Sequence, residues 1–171
     1  MRDQVMEKFN DEYLLVLPSI QSISVFDSID YHTFDMEMLC PAQRNYLIDK
    51  ARGFGFTQTS GKYLVHSDAS KIYFPPHRLF NRNFRSFLPK ERDQMTWLAL
   101  TPTQAAFLLL DQRASEEELF QLMMKHPFNL PLLIRVCSHE DFYPSLQKMG
   151  PELRRLLERA QVLLKSKKPL T

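Results

Sequence analysis

The sequence predicts an α+β fold that is mainly helical and contains a small antiparallel sheet of two or three strands. Three observations support this fold class. The 171 residues are 44% apolar and 25% charged, which suits one folded domain with a core of its own. The most strand-like patterns lie within residues 54–74. From Pro75 to near the end of the chain, prolines and helix-capping residues mark helix starts.

Two helices are predicted before the sheet. Apolar residues at near-helical spacing favour a first helix over residues 3–17, and residues 19–35 fit either a strand or an ordered loop. A second helix should begin near Pro41 and end at Gly53 or Gly55, since glycine readily adopts the left-handed conformation of a helix C-cap. The buried side of this second helix should consist of Leu39, Tyr46, Leu47, Ala51 and Phe54.

Residues 54–74 form the predicted sheet. Strand-like runs are separated there by turn residues, first at Ser60–Gly61 and again at 67–70. Because two or three strands alone are only marginally stable, helices should pack against this sheet.

Helices dominate the predicted second part of the chain. Residues 101–104 and 115–118 have the capping-box pattern, a Thr or Ser followed three residues later by Gln or Glu. The predicted helices extend over residues 102–112, 115–126, 130–138, 140–149 and 151–166. The last has Leu153, Leu156, Leu157, Ala160, Leu163 and Leu164 on one side and Arg154, Arg155, Glu158, Arg159 and Gln161 facing away. We predict one domain, 1–171, with a possible division into an α/β-like part (1–75) and an all-helical part (76–171).

The chain is expected to be a cytoplasmic protein without a membrane span. Its apolar runs are too short to cross a bilayer, and its first residues lack the order of a signal peptide. Cys40 and Cys137 lie far apart in apolar surroundings, as buried thiols in a reducing compartment do. No cofactor and no metal are expected, because the paired spacings of strong zinc motifs do not occur.

Charge is unevenly distributed along the chain. The formal net charge is only +2. Residues 1–40 hold eight acidic and two basic residues, whereas residues 71–92 hold six basic residues and one acidic residue. An acidic beginning and a basic middle predict either an internal electrostatic contact or two surfaces for different partners.

The segment between Pro75–Pro76 and Pro89 is the strongest candidate for a binding surface. Its length suits about three helical turns. Three arginines and three phenylalanines repeat there at the same i, i+4, i+7 spacing, offset by two residues, so a helix would hold them on opposite sides. The outward-facing arginines, here named the arginine row, are Arg78, Arg82 and Arg85. The phenylalanines expected to face the core are Phe80, Phe84 and Phe87.

The leading hypothesis is a non-catalytic interaction module or adaptor. Guanidinium groups match carboxylates in geometry and charge, so the arginine row would bind an acidic protein surface, aided by Lys71 and Arg92. The simplest alternative is that the arginine row is only solvated, or is paired with the acidic N-terminal segment of the same chain.

Two further function classes remain open. The first is nucleic-acid binding through the arginine row together with Lys50, Arg52 and Lys62, although a nearly neutral chain has little excess positive charge for that purpose. The second is a small metal-dependent or Cys/His-dependent enzyme. It would require a pocket in which at least two side chains with shifted pKa values converge, from the set His66, Asp68, His77, Cys137 and His139.

Overall fold

A computed structural model describes residues 2–26, 38–76, 95–112, 114–126, 128, 129 and 133 of the chain. Its helices there are α1 (Arg2–Glu7), α2 (Pro41–Gly53), α3 (Pro102–Asp111) and α4 (Glu116–Lys125). Its strands are β1 (Leu14–Leu17), β2 (Ser22–Val25), β3 (Thr57–Gln58), β4 (Tyr63–Val65), β5 (Lys71–Tyr73) and β6 (Thr96–Leu100). A 3-10 turn, Pro18–Ile20, joins β1 to β2.

All six strands belong to one mixed sheet with the order β1-β2-β6-β5-β4-β3. The three central strands β2, β6 and β5 are parallel, with Ile23 opposite Ala99 and Ile72 opposite Trp97. The outer pairs β1–β2, β5–β4 and β4–β3 are antiparallel. The last strand in the described sequence, β6, therefore lies at the centre of the sheet.

The predicted fold class, a mainly helical protein with a small antiparallel sheet of two or three strands, is wrong. The meander over residues 54–74 is confirmed as β3, β4 and β5, but it is only one half of the sheet. Strands β1 and β6 were not predicted, whereas β2 confirms the strand alternative for part of residues 19–35. All residues of β1 and β6 are buried and nearly all are apolar, so these two strands lack the alternation of polar and apolar residues that marks a strand with one solvated face.

The predicted helix over residues 3–17 is also wrong beyond its first turns, because α1 ends at Glu7. The side chain of Asp11 redirects the chain. Its Oδ1 accepts the backbone N–H groups of Tyr13 and Leu14 at 2.8 and 2.9 Å, and β1 follows at once. A carboxylate that captures nearby backbone donors favours a turn over a continued helix.

Three predicted helices are confirmed by α2, α3 and α4. Thr101 caps α3 as predicted, since its hydroxyl accepts the N–H of Gln104 at 3.1 Å and the Gln104 side chain accepts the N–H of Thr101 at 3.0 Å. Gly55, just after α2, has the expected positive φ of 90°. The helices predicted at 140–149 and 151–166 lie outside the described residues, as does most of the helix predicted at 130–138.

Helices cover both faces of the sheet, and each face has its own apolar core. Residues of α1 and α2 pack on one side, named the α2 face, around Ile23, Ile72 and Trp97. Residues of α3 and α4 pack on the other side, named the α3 face, around Leu98 and Leu100. Every residue of α3 from Pro102 to Leu110 is buried, as expected for a helix that is enclosed on all sides.

Side chains close the β1 edge of the sheet. The backbone N–H groups of Leu14 and Val16 point away from β2. The N–H of Leu14 donates to Asp11 Oδ1, and the N–H of Val16 donates to Asn10 Oδ1 at 2.8 Å. The carbonyl oxygen of Leu14 accepts Lys125 Nζ at 3.2 Å. Because an open strand edge is a template for pairing with another chain, these bonds protect the edge.

Within the part of the chain described above, no helix has the length and apolar character needed to cross a bilayer.

Candidate functional site

The arginine row and Arg92 lie outside the described residues, so their surroundings are known only from the elements on either side. The chain from Phe74 to Met95 joins β5 to β6, which are neighbouring parallel strands. A connection between parallel neighbours must return across a face of the sheet, and it usually includes a helix. The helix predicted for this connection lies outside the described residues and stays a prediction.

Lys71, the described member of the predicted binding set, begins β5. Residues alternate along a strand, and Ile72 belongs to the α2-face core, so Lys71 and Tyr73 point to the α3 face. The Lys71 backbone N–H donates to Met95 O at 2.8 Å, which ties together the two ends of the connection that contains the arginine row.

The α3 face is less completely covered near β4 and β5. Tyr63 and Val65 of β4 are half-buried there, and the ring of Tyr63 lies 4.9 Å from the ring of Tyr73. Burial, followed by the charge of Tyr63, raises the pKa of Tyr73. These side chains form an apolar floor beside the region where α3 packs.

The three residues considered for nucleic-acid contact have different surroundings. Lys50 Nζ lies 2.7 Å from Asp11 Oδ2, so this charge is already paired. Arg52 is exposed and lies 3.4 Å from Asp49 on the same helix. Lys62 is exposed in the turn between β3 and β4. These three residues therefore do not form one continuous set of unpaired cations.

Arg44 makes structural contacts that were not predicted from the sequence. Its guanidinium donates to Gly61 O at 2.5 Å and lies 4.6 Å from the centre of the Phe74 ring. Both contacts hold the β3–β4 turn and the residue after β5 against α2. The only signal in the sequence was its place in the first turns of the predicted helix.

Asp11 is the centre of a polar cluster between β1 and α2. Its Oδ1 accepts the two backbone N–H groups described above. Its Oδ2 accepts hydrogen bonds from Tyr46 Oη at 2.8 Å and from Lys50 Nζ at 2.7 Å. Burial raises the pKa of Asp11, but the hydrogen bonds from Lys50, Tyr46, Tyr13 and Leu14 outweigh it and the net pKa is lowered. Burial and the bond to Asp11 raise the pKa of Tyr46.

Two of the five candidate catalytic residues do converge. His66 Nδ1 lies 2.8 Å from Asp68 Oδ1, and the backbone N–H of Asp68 is directed at the same Nδ1 at 3.3 Å. Asp68 also accepts the backbone N–H of Ser70 at 2.8 Å. Ser70, through its backbone and then its hydroxyl, is the main cause that lowers the pKa of Asp68 to about 2.

This His66–Asp68 pair organises the turn between β4 and β5. The ring of His66 packs 5.1 Å from the ring of Phe56, and its Nε2 is directed toward Gly55. The His66 backbone closes the turn through bonds to Ser70 and Ala69. His77, Cys137 and His139 lie outside the described residues.

A second histidine makes a contact that was not predicted from the sequence. His126, directly after α4, is fully buried, and its Nδ1 lies 3.0 Å from Ser24 Oγ in β2. Its ring stacks on Phe26 with centroids 5.3 Å apart. Ser24 and His126 are 102 positions apart, so no local pattern could have paired them. Their burial in the interior makes this a packing contact between α4 and the sheet.

Among the described residues, no group of three or more His, Cys, Asp or Glu side chains is arranged to hold a metal ion. Comparison of the chain with family models, with curated proteins and with solved structures found no match.

Proposed function

We propose that the chain is a cytoplasmic, non-catalytic interaction module or adaptor whose arginine row binds an acidic surface on a protein partner. Lys71 and Arg92 would add positive charge at the two ends of the connection. The observation that carries the proposal is the parallel pairing of β5 with β6, because the arginine row belongs to the connection between them.

The direction of that connection favours one face of the sheet. The chain from β2 through α2 to β3 joins two parallel strands and runs toward the β3 edge, with α2 on the α2 face. The chain from β5 to β6 runs the opposite way along the sheet. Connections of this kind are right-handed in about 98% of cases, and two right-handed connections that run in opposite directions lie on opposite faces. We therefore expect the arginine-row segment on the α3 face.

This expectation argues against internal neutralisation by the described acidic residues near the N-terminus. Glu7, Asp11 and Glu12 belong to the region that packs with α1 and α2, on the far side of the sheet. Asp11 is already paired with Lys50. Glu7 and Glu12 are exposed, so they remain available to other partners.

The α3 face also offers a suitable floor for the phenylalanines of the same segment. Tyr63 and Val65 are half-buried apolar contacts next to Tyr73. If Phe80, Phe84 and Phe87 cover this floor, the arginine row on the opposite side of the helix faces solvent. An exposed row of guanidinium groups at helical spacing is complementary to a row of carboxylates.

Affinity capture with three versions of the full chain tests the proposal. The baits are the natural sequence, the triple variant Arg78→Glu/Arg82→Glu/Arg85→Glu, and the control Lys8→Glu, which changes an exposed charge on the other face. The natural chain and the control should capture the same acidic proteins, and the triple variant should capture at least about tenfold less of them. The melting temperature of the triple variant should stay close to that of the natural chain. Capture unchanged by the triple variant contradicts the proposal.

Measuring the affinity for a labelled single-stranded oligonucleotide over a range of salt concentrations distinguishes nucleic-acid binding from protein binding. Phosphate contacts make affinity fall steeply with ionic strength. We expect no measurable binding at low salt, because Lys50 is paired with Asp11 and Arg52 lies beside Asp49. Tight binding at low salt that disappears in the triple variant would assign the arginine row to nucleic acid instead.

A further inference from the structure

The outer side of α4 carries an exposed apolar pair. Phe120 is 45% exposed and Met124 is 60% exposed, and these are the large hydrophobic side chains left exposed among the described residues. They are four positions apart and therefore adjacent on the helix surface. Glu116 and Glu117, both exposed, precede them in the first turn. These four residues are named the α4 outer face.

The orientation of α4 is fixed by contacts on its other side. Leu119, Leu122 and Met123 are buried in the core of the α3 face. At the start of the helix, the Glu118 carboxylate accepts the backbone N–H and the hydroxyl of Ser19. At its end, Lys125 Nζ donates to Leu14 O. The exposed pair therefore cannot turn inward without breaking these contacts.

The rest of the chain starts from the same core. Phe128 and Leu133 are buried in the cluster that contains Leu122, and residues 134–171 follow. The sequence of residues 151–166 combines a leucine stripe with arginines. A leucine stripe on an amphipathic helix needs an apolar surface to cover it.

We propose that the segment 151–166 of the same chain docks on the α4 outer face. Its leucines would cover Phe120 and Met124, and Arg154 and Arg159, about 110° around the helix from the middle of the leucine stripe, would reach Glu116 and Glu117 from the two margins of that stripe. Apolar area and charge are both complementary in this pairing. Because the segment is tethered to the core only a short distance along the chain, its effective concentration at α4 is on the order of millimolar, which favours the intramolecular contact over a second copy.

Disulfide trapping in the full chain tests this contact. Both natural cysteines are first replaced, as Cys40→Ser and Cys137→Ser, since serine suits the N-cap position that Cys40 occupies at α2. The test pair is Met124→Cys with Leu157→Cys. The control pair is Gln58→Cys with Leu157→Cys, because Gln58 is exposed at the opposite edge of the sheet. The test pair should oxidise within one chain, with a cross-linked peptide found by mass spectrometry, and the control pair should not.

The alternative outcomes overturn the proposal. Cross-linked dimers in place of the intrachain product would mean that a second copy occupies the α4 outer face. Oxidation no faster than in the control pair would mean that residues 151–166 do not dock on the α4 outer face.

Hydrogen exchange supplies an independent measurement without engineered thiols. In Phe120→Glu/Met124→Glu, the amides of residues 151–166 should exchange at least about tenfold faster, while β6 stays protected. The control Asn45→Glu adds a charge at an exposed site on α2 and should leave residues 151–166 unchanged. Equal exchange of residues 151–166 in the natural chain and in the double variant contradicts the docking.

Discussion

At the scale of single residues, Asp11 connects the N-terminal turn, β1 and α2. Four donors converge on its carboxylate, two from the backbone and two from Tyr46 and Lys50. A network of this kind is expected to stabilise the ionised form of the carboxylate more than the neutral form, which agrees with the direction of its pKa shift.

The variant Asp11→Asn should lower the free energy of unfolding by about 1–3 kcal/mol at neutral pH, because it removes bonds to a charged group. The pKa of Asp11 is lower in the folded chain than its ordinary value of 3.8. Its contribution is therefore complete above about pH 4 and is lost as the pH falls through the folded-state pKa. Denaturant unfolding from pH 7 to pH 3 measures this. The exposed control Glu12→Gln should show little difference, and a cost for Asp11→Asn that does not shrink in acid would contradict the prediction.

Gly55 is required for two reasons, its positive φ and its neighbour. A Cβ at this position would lie 3.1 Å from His66 Nε2, and the φ of 90° is strained for any residue with a side chain. Gly55→Ala should therefore lower the free energy of unfolding by about 1–2 kcal/mol.

Gly53, two residues earlier, is the matched control. A Cβ there would meet nothing within 4 Å, and the residue ends α2. Gly53→Ala should leave stability unchanged or raise it by up to about 1 kcal/mol. Thermal or urea unfolding of both variants checks the pair, and equal stabilities would be inconsistent with the geometry around His66.

At the scale of secondary structure elements, the two edges of the sheet differ. The β3 edge is only two residues long and exposed, whereas the β1 edge is apolar, buried and closed by Asn10, Asp11 and Lys125. Short strands and covered edges are two ways in which proteins avoid pairing with other chains.

Asn10→Ala opens the β1 edge by removing the acceptor of the Val16 N–H group. We expect the free energy of unfolding to fall by about 1 kcal/mol and self-association to increase with protein concentration. Size-exclusion chromatography over a range of concentrations measures the second effect, with Lys8→Ala as an exposed control. A variant that stays as monodisperse as the natural chain would show that Asn10 does not protect this edge.

The elements that the sequence predicted correctly are those with local signals. Pro41 and Gly55 mark α2, and Thr101 with Gln104 marks α3, because capping depends on residues only a few positions apart. The strands β1 and β6 gave no such signal. The neighbours of β6 in the sheet, β2 and β5, are far from it in the sequence, and burial of both faces removes polar alternation from β1 and β6. The same limit applies to the candidate site, where the pairing of Lys50 with Asp11 is invisible to any local pattern.

At the scale of the whole molecule, β6 joins the two halves of the sheet. It pairs with β2 on one side and with β5 on the other, and its side chains contribute to both cores. The two cores therefore share one central strand and are expected to unfold together.

Unfolding followed by the fluorescence of Trp97, the single tryptophan, should coincide with unfolding followed by far-ultraviolet circular dichroism. Trp97 lies in the core of the α2 face, whereas much of the helical signal comes from the other face. Leu98→Ala, at a fully buried position, should shift both transitions together and cost about 2–5 kcal/mol. Two separate transitions would instead support a division of the chain near residue 75.

The central position of β6 also matters during synthesis on the ribosome. When residues 1–76 have left the exit tunnel, the hairpin β1–β2 and the meander β3–β5 can form, but β6, the strand that fits between them, has not yet emerged. Each piece then presents an open backbone edge, at β2 and at β5, to the crowded cell. We expect chaperones to bind a nascent chain at this stage, and slow translation before β6 leaves the tunnel would prolong the exposure of both edges.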